Sequence, residues 1–381
     1  MDQRKIGIFL GGKGYKKFTE ELVNLAESLN TRGNRIVVFT TRSKKLISQI
    51  KSDQFEVIKV KGKFNKLNFR EALQFKAQLK KTEVDSIIFR DPELVSFLIT
   101  TKYLCKGKPA LIFLQIKGLE VLQNDSLNNF KFKQLDAWIT PLNAVGNDVR
   151  SGTRIDSQKV HVLQYPLQLK KISTDPKSRG KIRRKQNIPD DLLVIGVSID
   201  GMGIPGDLQT LINAISASKK LRKSSFLLIS IHHPKEKKQI ALDLEELLDV
   251  SDVFGMVIHT ATEKLLTKNL SVCDLLFLIP SLEPFSGIGK LGLAAGIPCI
   301  APNSITTAEI LKNGELGALY SRERSQDLST KLLSFVQEPE GTVPVQDETS
   351  EVIRNSADLN HFCGELERII DSIPKADKTL Y

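Results

Sequence analysis

Apolar and polar positions alternate along this chain in blocks that read as strand, helix, strand, from one end to the other. Residues 4–10 are strand-like, followed by Gly11-Gly12-Lys13-Gly14 and a helical stretch over residues 18–30. Arg32-Gly33-Asn34 then makes a turn into Arg35-Ile36-Val37-Val38-Phe39-Thr40. Strand, glycine loop, helix, turn and strand make a βαβ unit, which requires a parallel pair. Further strands are expected at 55–60, 86–89, 110–114 and 137–140. A basic stretch over 68–81 has the composition of an amphipathic helix, but Phe69, Leu73, Phe75, Ala77 and Leu79 do not form a single stripe. It is read as a crossover helix on the sheet, with a membrane-surface helix as the rival.

Val160-His161-Val162-Leu163-Gln164-Tyr165-Pro166 closes the first half. Residues 170–185 are rich in Lys, Arg, Ser and Pro, and we place the domain boundary there. Leu192-Leu193-Val194-Ile195-Gly196-Val197 is apolar throughout, as expected of a strand buried on both faces. Helices at 207–218, 235–248 and 263–269 then alternate with strands at 226–231, 255–257 and 274–279. After another strand at 299–302 come Thr306-Thr307-Ala308-Glu309-Ile310-Leu311 and Gly314-Glu315-Leu316-Gly317-Ala318-Leu319-Tyr320, then a Pro/Glu/Thr/Ser-rich loop over 337–350 and a terminal helix at 356–373. The expectation is two doubly wound α/β domains: residues 1–170, residues 171–360, and a C-terminal helix in 361–381.

Length supports two domains, since 381 residues exceed one ordinary core. Cys105, Cys273, Cys299 and Cys363 are far apart and lack metal spacing, so they read as buried free thiols in a reducing compartment. No apolar run approaches the ~18–20 residues of a membrane span. The apolar run at 6–12 reads as a first strand rather than a secretory core, and a cytoplasmic location is expected. The net charge of +11 is uneven: residues 1–170 carry 30 Lys and Arg against 16 Asp and Glu, whereas the remainder carries 25 against 28. The basic half would attract an anionic acceptor or the inner face of an anionic membrane. A solvated lysine-rich surface fits the same numbers. No nucleic acid partner is expected.

The candidate chemistry concentrates after the strand at 274–279. Pro280-Ser281-Leu282-Glu283-Pro284-Phe285-Ser286-Gly287 places one carboxylate at a strand's carboxyl end, before a helix of small residues. Glu283 there can accept hydrogen bonds from sugar hydroxyls, or complement the helix dipole. Ser286 and Gly287 can offer backbone amides to a diphosphate, or act as a plain cap. Lys290, one turn onward, reads as solvent-facing. Gly287-Ile288-Gly289-Lys290-Leu291-Gly292 also satisfies G-x-G-x-x-G, although its distance from the strand argues against a dinucleotide turn. In the first half, Gly11, Gly12, Lys13, Arg90, Lys117 and Glu120 follow strands on the side where α/β sheets hold ligands. A flexible turn and surface salt bridges are the alternative readings there.

The stretch from Glu283 to Pro298, with Phe285 and Ala294-Ala295-Gly296-Ile297-Pro298, resembles the donor signature of family 4 (group 1) glycosyltransferases. That resemblance implies a GT-B fold, two Rossmann-like domains facing a central cleft. It implies transfer of a sugar from a nucleotide-sugar donor to a glycan or lipid-linked acceptor of the cell surface. It further implies retention at the anomeric carbon, with no metal and no cofactor. In the family the first acid of the motif contacts the transferred sugar, a role that falls on Glu283, with Pro284, Phe285, Ser286 and Gly287 beside it. His232, after the strand at 226–231, stands where a ring can stack on or bond to a nucleotide base, or serve as a structural histidine. The glycine loop at Gly11 and Gly12 with Lys13, and Arg90, Lys117 and Glu120, would face the acceptor or phosphate. The chain departs from the pattern in two places. Leu291 stands where the family has a second acid that contacts ribose, and residues 198–207 contain Asp200 but none of the family's diphosphate-binding cations. These departures also fit a catalytically inactive glycosyltransferase-like chain that serves as a binding subunit or partner of an active enzyme.

Overall fold

The computed structural model describes residues 3–11, 16–41, 55–61, 69–106, 108–116, 131–167, 176–199, 203–231, 237–259, 270–283, 287–337 and 347–374. The chain divides into two compact units: Met1–Tyr165 with Asp358–Tyr381, and Pro166–Ala357.

Unit 1 contains strands β1 (Lys5–Leu10), β2 (Arg35–Thr40), β3 (Glu56–Lys59), β4 (Ser86–Phe89), β5 (Ala110–Leu114), β6 (Ala137–Thr140) and β7 (Val160–Val162). They form one parallel sheet in the order β3-β2-β1-β4-β5-β6-β7. Successive residues of a strand feed opposite layers. Phe9, Val37, Phe39, Ile87, Phe89 and Phe113 join one core, while Ile8, Leu10, Val38, Ile88 and Ile112 join the other. Both faces are covered, so the strands carry continuous apolar runs rather than alternation. The covering helices include α1 (Lys16–Thr31), α2 (Phe69–Thr82), α3 (Val95–Leu104) and α4 (Asn143–Gly152). The stripe ambiguity in α2 resolves: Ala72, Phe75 and Leu79 are buried, whereas Phe69 and Leu73 point to solvent.

Unit 2 repeats the plan. Its strands are β8 (Leu193–Ile199), β9 (Ser225–Ile231), β10 (Gly255–His259), β11 (Leu275–Phe277), β12 (Cys299–Pro302) and β13 (Ala318–Tyr320). They are parallel in the order β10-β9-β8-β11-β12-β13. The helices are α5 (Pro176–Lys185), α6 (Gly206–Ser216), α7 (Lys219–Ser224), α8 (Lys237–Val250), α9 (Ile288–Ala294), α10 (Ile305–Ile310), α11 (Ser325–Gln337) and α12 (Asp347–Ser356). The expected helix at 263–269 lies outside the described residues.

Two sequence expectations change. The stretch read as a linker at 170–185 contains helix α5, held by a buried arginine. The Arg183 guanidinium donates to the carbonyls of Asp190 (3.0 Å) and Val272 (3.2 Å) and to Asp274 Oδ2 (2.6 Å). Asp274 also pairs with Arg179 and accepts from the Val194 amide at 2.8 Å, which ties α5 to the start of β8. The end of the stretch read as a loop at 337–350 begins a helix, α12 (Asp347–Ser356). The expected terminal helix follows as α13 (Leu359–Ser372), which starts behind Asp358, whose carboxylate accepts from the Asn360 and His361 amides (2.8 and 3.2 Å).

Helix α13 packs in unit 1, where Phe362, Cys363 and Leu366 share a core with Leu22, Leu25 and Leu29 of α1. Glu367 locks the contact. Its Oε2 accepts from Arg32 Nε (3.1 Å) and Nη2 (2.8 Å), and its Oε1 from Asn34 Nδ2 (2.6 Å). Arg4 adds a two-pronged pair with Asp371 (2.7 and 2.5 Å). The chain leaves unit 1 after Tyr165 and returns after Ala357, and the Ala357 carbonyl accepts from the Leu167 amide at 3.0 Å. The four cysteines are buried, and none forms a disulfide.

Candidate functional site

In a doubly wound sheet, neighbouring connections diverge where the strand order reverses, and the carboxyl ends of the strands there border a crevice. In unit 2 the reversal falls between β8 and β11. Glu283 sits just beyond β11. The chain leaves the strand through buried Leu278 and Ile279 and turns back, so that the Leu282 and Glu283 amides both donate to the Ile279 carbonyl (3.0 and 3.1 Å). Glu283 is itself buried, and its Oε2 accepts from the Gly289 amide at 2.8 Å. The carboxylate therefore meets the first turn of α9, where the helix presents unbonded amides.

Glycine makes this approach possible. A Cβ at position 289 would stand 2.9 Å from Glu283 Oε2 and 2.7 Å from Leu278 Cδ1. A Cβ at Gly292 would stand 2.2 Å from Leu276 Cδ1. Gly289 and Gly292 of the G-x-G-x-x-G match are thus helix-packing residues within α9, not part of a dinucleotide turn. Gly287 precedes the helix at φ 66°, a left-handed conformation that suits glycine. Its amide donates to the Glu283 carbonyl at 3.2 Å.

Two cations at this edge escaped the motif reading. Lys290 is half-buried rather than solvent-facing. Burial pulls its ammonium down to about 8, against the opposing pull of the Glu309 and Glu283 charges. Burial likewise pushes the Cys299 thiol up, and the Glu283 charge adds to the rise, so this thiol is inert. Arg322, just after β13, forms a two-pronged pair with Asp207 in the first turn of α6 (2.9 and 2.7 Å). A residue 115 positions away thereby brings a cation to the stretch that lacks one of its own. No local signal marks it.

In unit 1 the strand order reverses between β1 and β4, the strands that lead to Gly11 and Arg90. Gly11 packs its backbone on Leu94, whose Cδ1 would lie 2.7 Å from an added Cβ. Arg90 is buried, pairs with Glu21 and lies over the Tyr165 ring, 5.5 Å from its centroid. Tyr165 in turn donates to the carbonyls of Gln115 (2.7 Å) and Ile139 (3.0 Å), and Gln115 Oε1 accepts from Trp138 Nε1 (2.8 Å). Burial pushes the Tyr165 phenol far above its ordinary value, so it remains a neutral donor. The Arg90 pair is therefore buried rather than a surface salt bridge. A ligand that recruited Arg90 would compete with Glu21.

Gly12, Lys13, Lys117, Glu120, Asp200, His232, Pro284, Phe285 and Ser286 lie outside the described residues. Among the described residues, no group of three or more His, Cys, Asp or Glu side chains could hold a metal ion. No described helix is long and apolar enough to cross a membrane.

No family model and no curated protein matches the sequence. Solved structures do match the fold over nearly the whole chain. A glycosyltransferase from Rickettsia africae superposes with a TM-score of 0.77 at 15% identity, covering 99% of this chain and 100% of that one. HepE of Anabaena, in complex with UDP and glucose, gives 0.76 at 13% identity, covering 97% and 100%. The apo form of WaaB, a lipopolysaccharide outer core galactosyltransferase, gives 0.68 at 14% identity, covering 97% and 99%. With its two doubly wound parallel units, this chain has the GT-B fold of those glycosyltransferases.

Proposed function

We propose that the chain transfers a sugar from a nucleotide-sugar donor to a glycan or lipid-linked acceptor, with retention and without a bound metal. The observation that carries this reading is Glu283: a buried acid at the carboxyl end of β11, at the reversal of the second sheet, bonded to the first turn of α9. The similarity to HepE, solved with UDP and glucose, supports a nucleotide-sugar donor, and the similarity to WaaB supports a cell-envelope acceptor.

In this reading Glu283 accepts hydrogen bonds from hydroxyls of the transferred sugar. Pro284, Phe285, Ser286 and Gly287 contact the donor, and His232 meets the base. A retaining displacement depends on stabilising the departing diphosphate more than on a protein base. Lys290 and Arg322 are the cations we assign to that charge, in place of those missing from residues 198–207. Gly11, Gly12, Lys13, Arg90, Lys117 and Glu120 serve the acceptor or phosphate side.

A second reading, a subunit that binds donor without turnover, draws on the same Glu283–Gly289 bond, because the carboxylate already serves its own helix. One experiment separates the two. The chain is incubated with UDP-, GDP-, ADP- and dTDP-sugars, and thermal stabilisation and slow donor hydrolysis are followed. Transfer predicts that one donor both stabilises the chain and is hydrolysed, and that Glu283→Gln abolishes the hydrolysis. Stabilisation without hydrolysis favours the binding subunit. A silent panel overturns transfer and favours an inactive partner of an active enzyme, which co-purification then tests.

A further inference from the structure

Tyr320 closes β13 in the core of unit 2, where its ring stacks on Phe277 of β11 with centroids 6.1 Å apart. Its hydroxyl oxygen is buried as well, and among the described residues nothing bonds to it. A buried phenol ordinarily finds a partner, because a dry, unbonded hydroxyl is costly. Two residues on, the Arg322 guanidinium holds Asp207 by two bonds, from Nε (2.9 Å) and Nη2 (2.7 Å). The backbone between them is pinned: the Asn303 amide donates to the Tyr320 carbonyl (2.8 Å) and the Ser321 amide to Asp327 Oδ2 (2.8 Å). Burial pushes the phenol up, the Asp207 charge adds to the rise and the Arg322 charge opposes it, so both charges stand near the hydroxyl. Asp207 sits in the first turn of α6, an 11-residue helix whose N-cap, Pro205, makes no side-chain bond to its amides. The Arg322 side chain is half-exposed, whereas that of Asp207 is mostly buried.

Such a pair can open from one side only. Asp207 is fixed on its helix, while the long side chain of Arg322 reaches solvent. An arginine that left alone would strand a mostly buried carboxylate, which is strongly unfavourable. The unbonded hydroxyl beside it is the donor that could take over. We propose that Arg322 swings from Asp207 to the terminal phosphate of a nucleoside diphosphate, and that the Tyr320 hydroxyl then donates to the vacated Asp207 carboxylate. The uncapped first turn of α6 favours an anion arriving there. Tyr320 is thus a positioning residue: it does not touch the donor but lowers the cost of moving the cation onto it. The inference rests on the sugar-transfer reading, which assigns Arg322 to the diphosphate, and adds how that cation is released.

The test is calorimetric titration of the full chain with UDP, GDP, ADP and dTDP, each beside its monophosphate. We expect one diphosphate to bind. R322Q weakens it by about 30-fold, since charged bonds to phosphate are lost. Y320F weakens it by about tenfold and changes the affinity for the monophosphate less than about twofold. Y320F/R322Q binds no more weakly than R322Q, because the hydroxyl acts only through the departure of Arg322. The thermal midpoint of free Y320F equals or exceeds that of the parent, since the lost hydroxyl had no partner. The control R324Q removes a neighbouring exposed cation and changes the affinity less than about twofold. A hydroxyl that only supports the fold would lower the midpoint and spare the diphosphate, or weaken mono- and diphosphate alike; either result overturns the proposal. So does additive loss in the double variant. Equal loss in R324Q and R322Q overturns it too, since the attraction would then be diffuse. Diphosphate binding that R322Q leaves intact sinks the swing while sugar transfer stands, whereas a chain that binds no diphosphate sinks both.

Discussion

Glu367→Gln is expected to destabilise unit 1 while leaving unit 2 unchanged. The carboxylate accepts two bonds from Arg32 and one from Asn34, and Arg4 Nη1 lies 3.9 Å away. The amide keeps the shape, removes the charge and turns an NH2 toward one of these donors. Hydrogen bonds to a charged group are worth about 1.5–3 kcal/mol each. Arg32 is partly solvated, so its share is discounted and the total is set at about 2–3 kcal/mol. With a urea slope of about 2–3 kcal/mol per M for a unit of this size, the midpoint falls by roughly 1 M. The assay has a built-in reporter: the chain has one tryptophan, Trp138, fully buried in unit 1. Burial alone would raise the Glu367 carboxyl, but bonds from Arg32 and Asn34 and the nearby positive charges outweigh it and hold it below its ordinary value. A lowered acid stabilises the fold above its unfolded value and loses that contribution as pH falls through its folded value. The gap between parent and variant is therefore constant from about pH 7 to 5 and closes below about pH 4. An unchanged Trp138 midpoint at pH 7 would refute the anchor. A gap undiminished at pH 3.5 would refute its electrostatic origin.

Three further outcomes are expected. Arg183→Ala should cost unit 2 about 3–5 kcal/mol, because it strips a buried partner from Asp274; circular dichroism should show the loss while the Trp138 transition stays put. Gly289→Ala should cost about 1–3 kcal/mol through crowding of Leu278 and Glu283, and any donor-induced stabilisation should vanish with the displaced carboxylate; full retention of both would refute the packing. Lys290, at about 8, lies below an ordinary lysine, so the unfolded chain binds the extra proton between about pH 8 and 10 and unit 2 gains stability as pH rises through that window. Lys290→Met should flatten the rise, as urea titrations at pH 7.5 and 9.5 would show.

The strands were legible because doubly covered parallel strands are short runs of apolar residues, as in Ile87-Ile88-Phe89 and Leu193-Val194-Ile195. Helix α3 was not. Val95, Phe97, Leu98, Ile99 and Thr101 are all buried, so no polar face marks its period, and its β-branched residues resemble a strand. Helix α5 was hidden for the opposite reason: it has almost no apolar surface, and a salt bridge to Asp274, 91 positions away, holds it in place. Glu283 could be found because motif and strand end coincide in sequence. The environment of Lys290 and the approach of Arg322 to Asp207 depend on tertiary closure, which no local pattern encodes.

Unit 1 is assembled from both ends of the chain. On the ribosome, its sheet is complete long before α13 emerges, and the apolar face of α1 with Leu22, Leu25 and Leu29 must wait uncovered while all of unit 2 is made. The later half of the sequence can thus finish folding before the earlier half does, and premature termination after residue 357 would harm the N-terminal lobe rather than the lobe that was just synthesised.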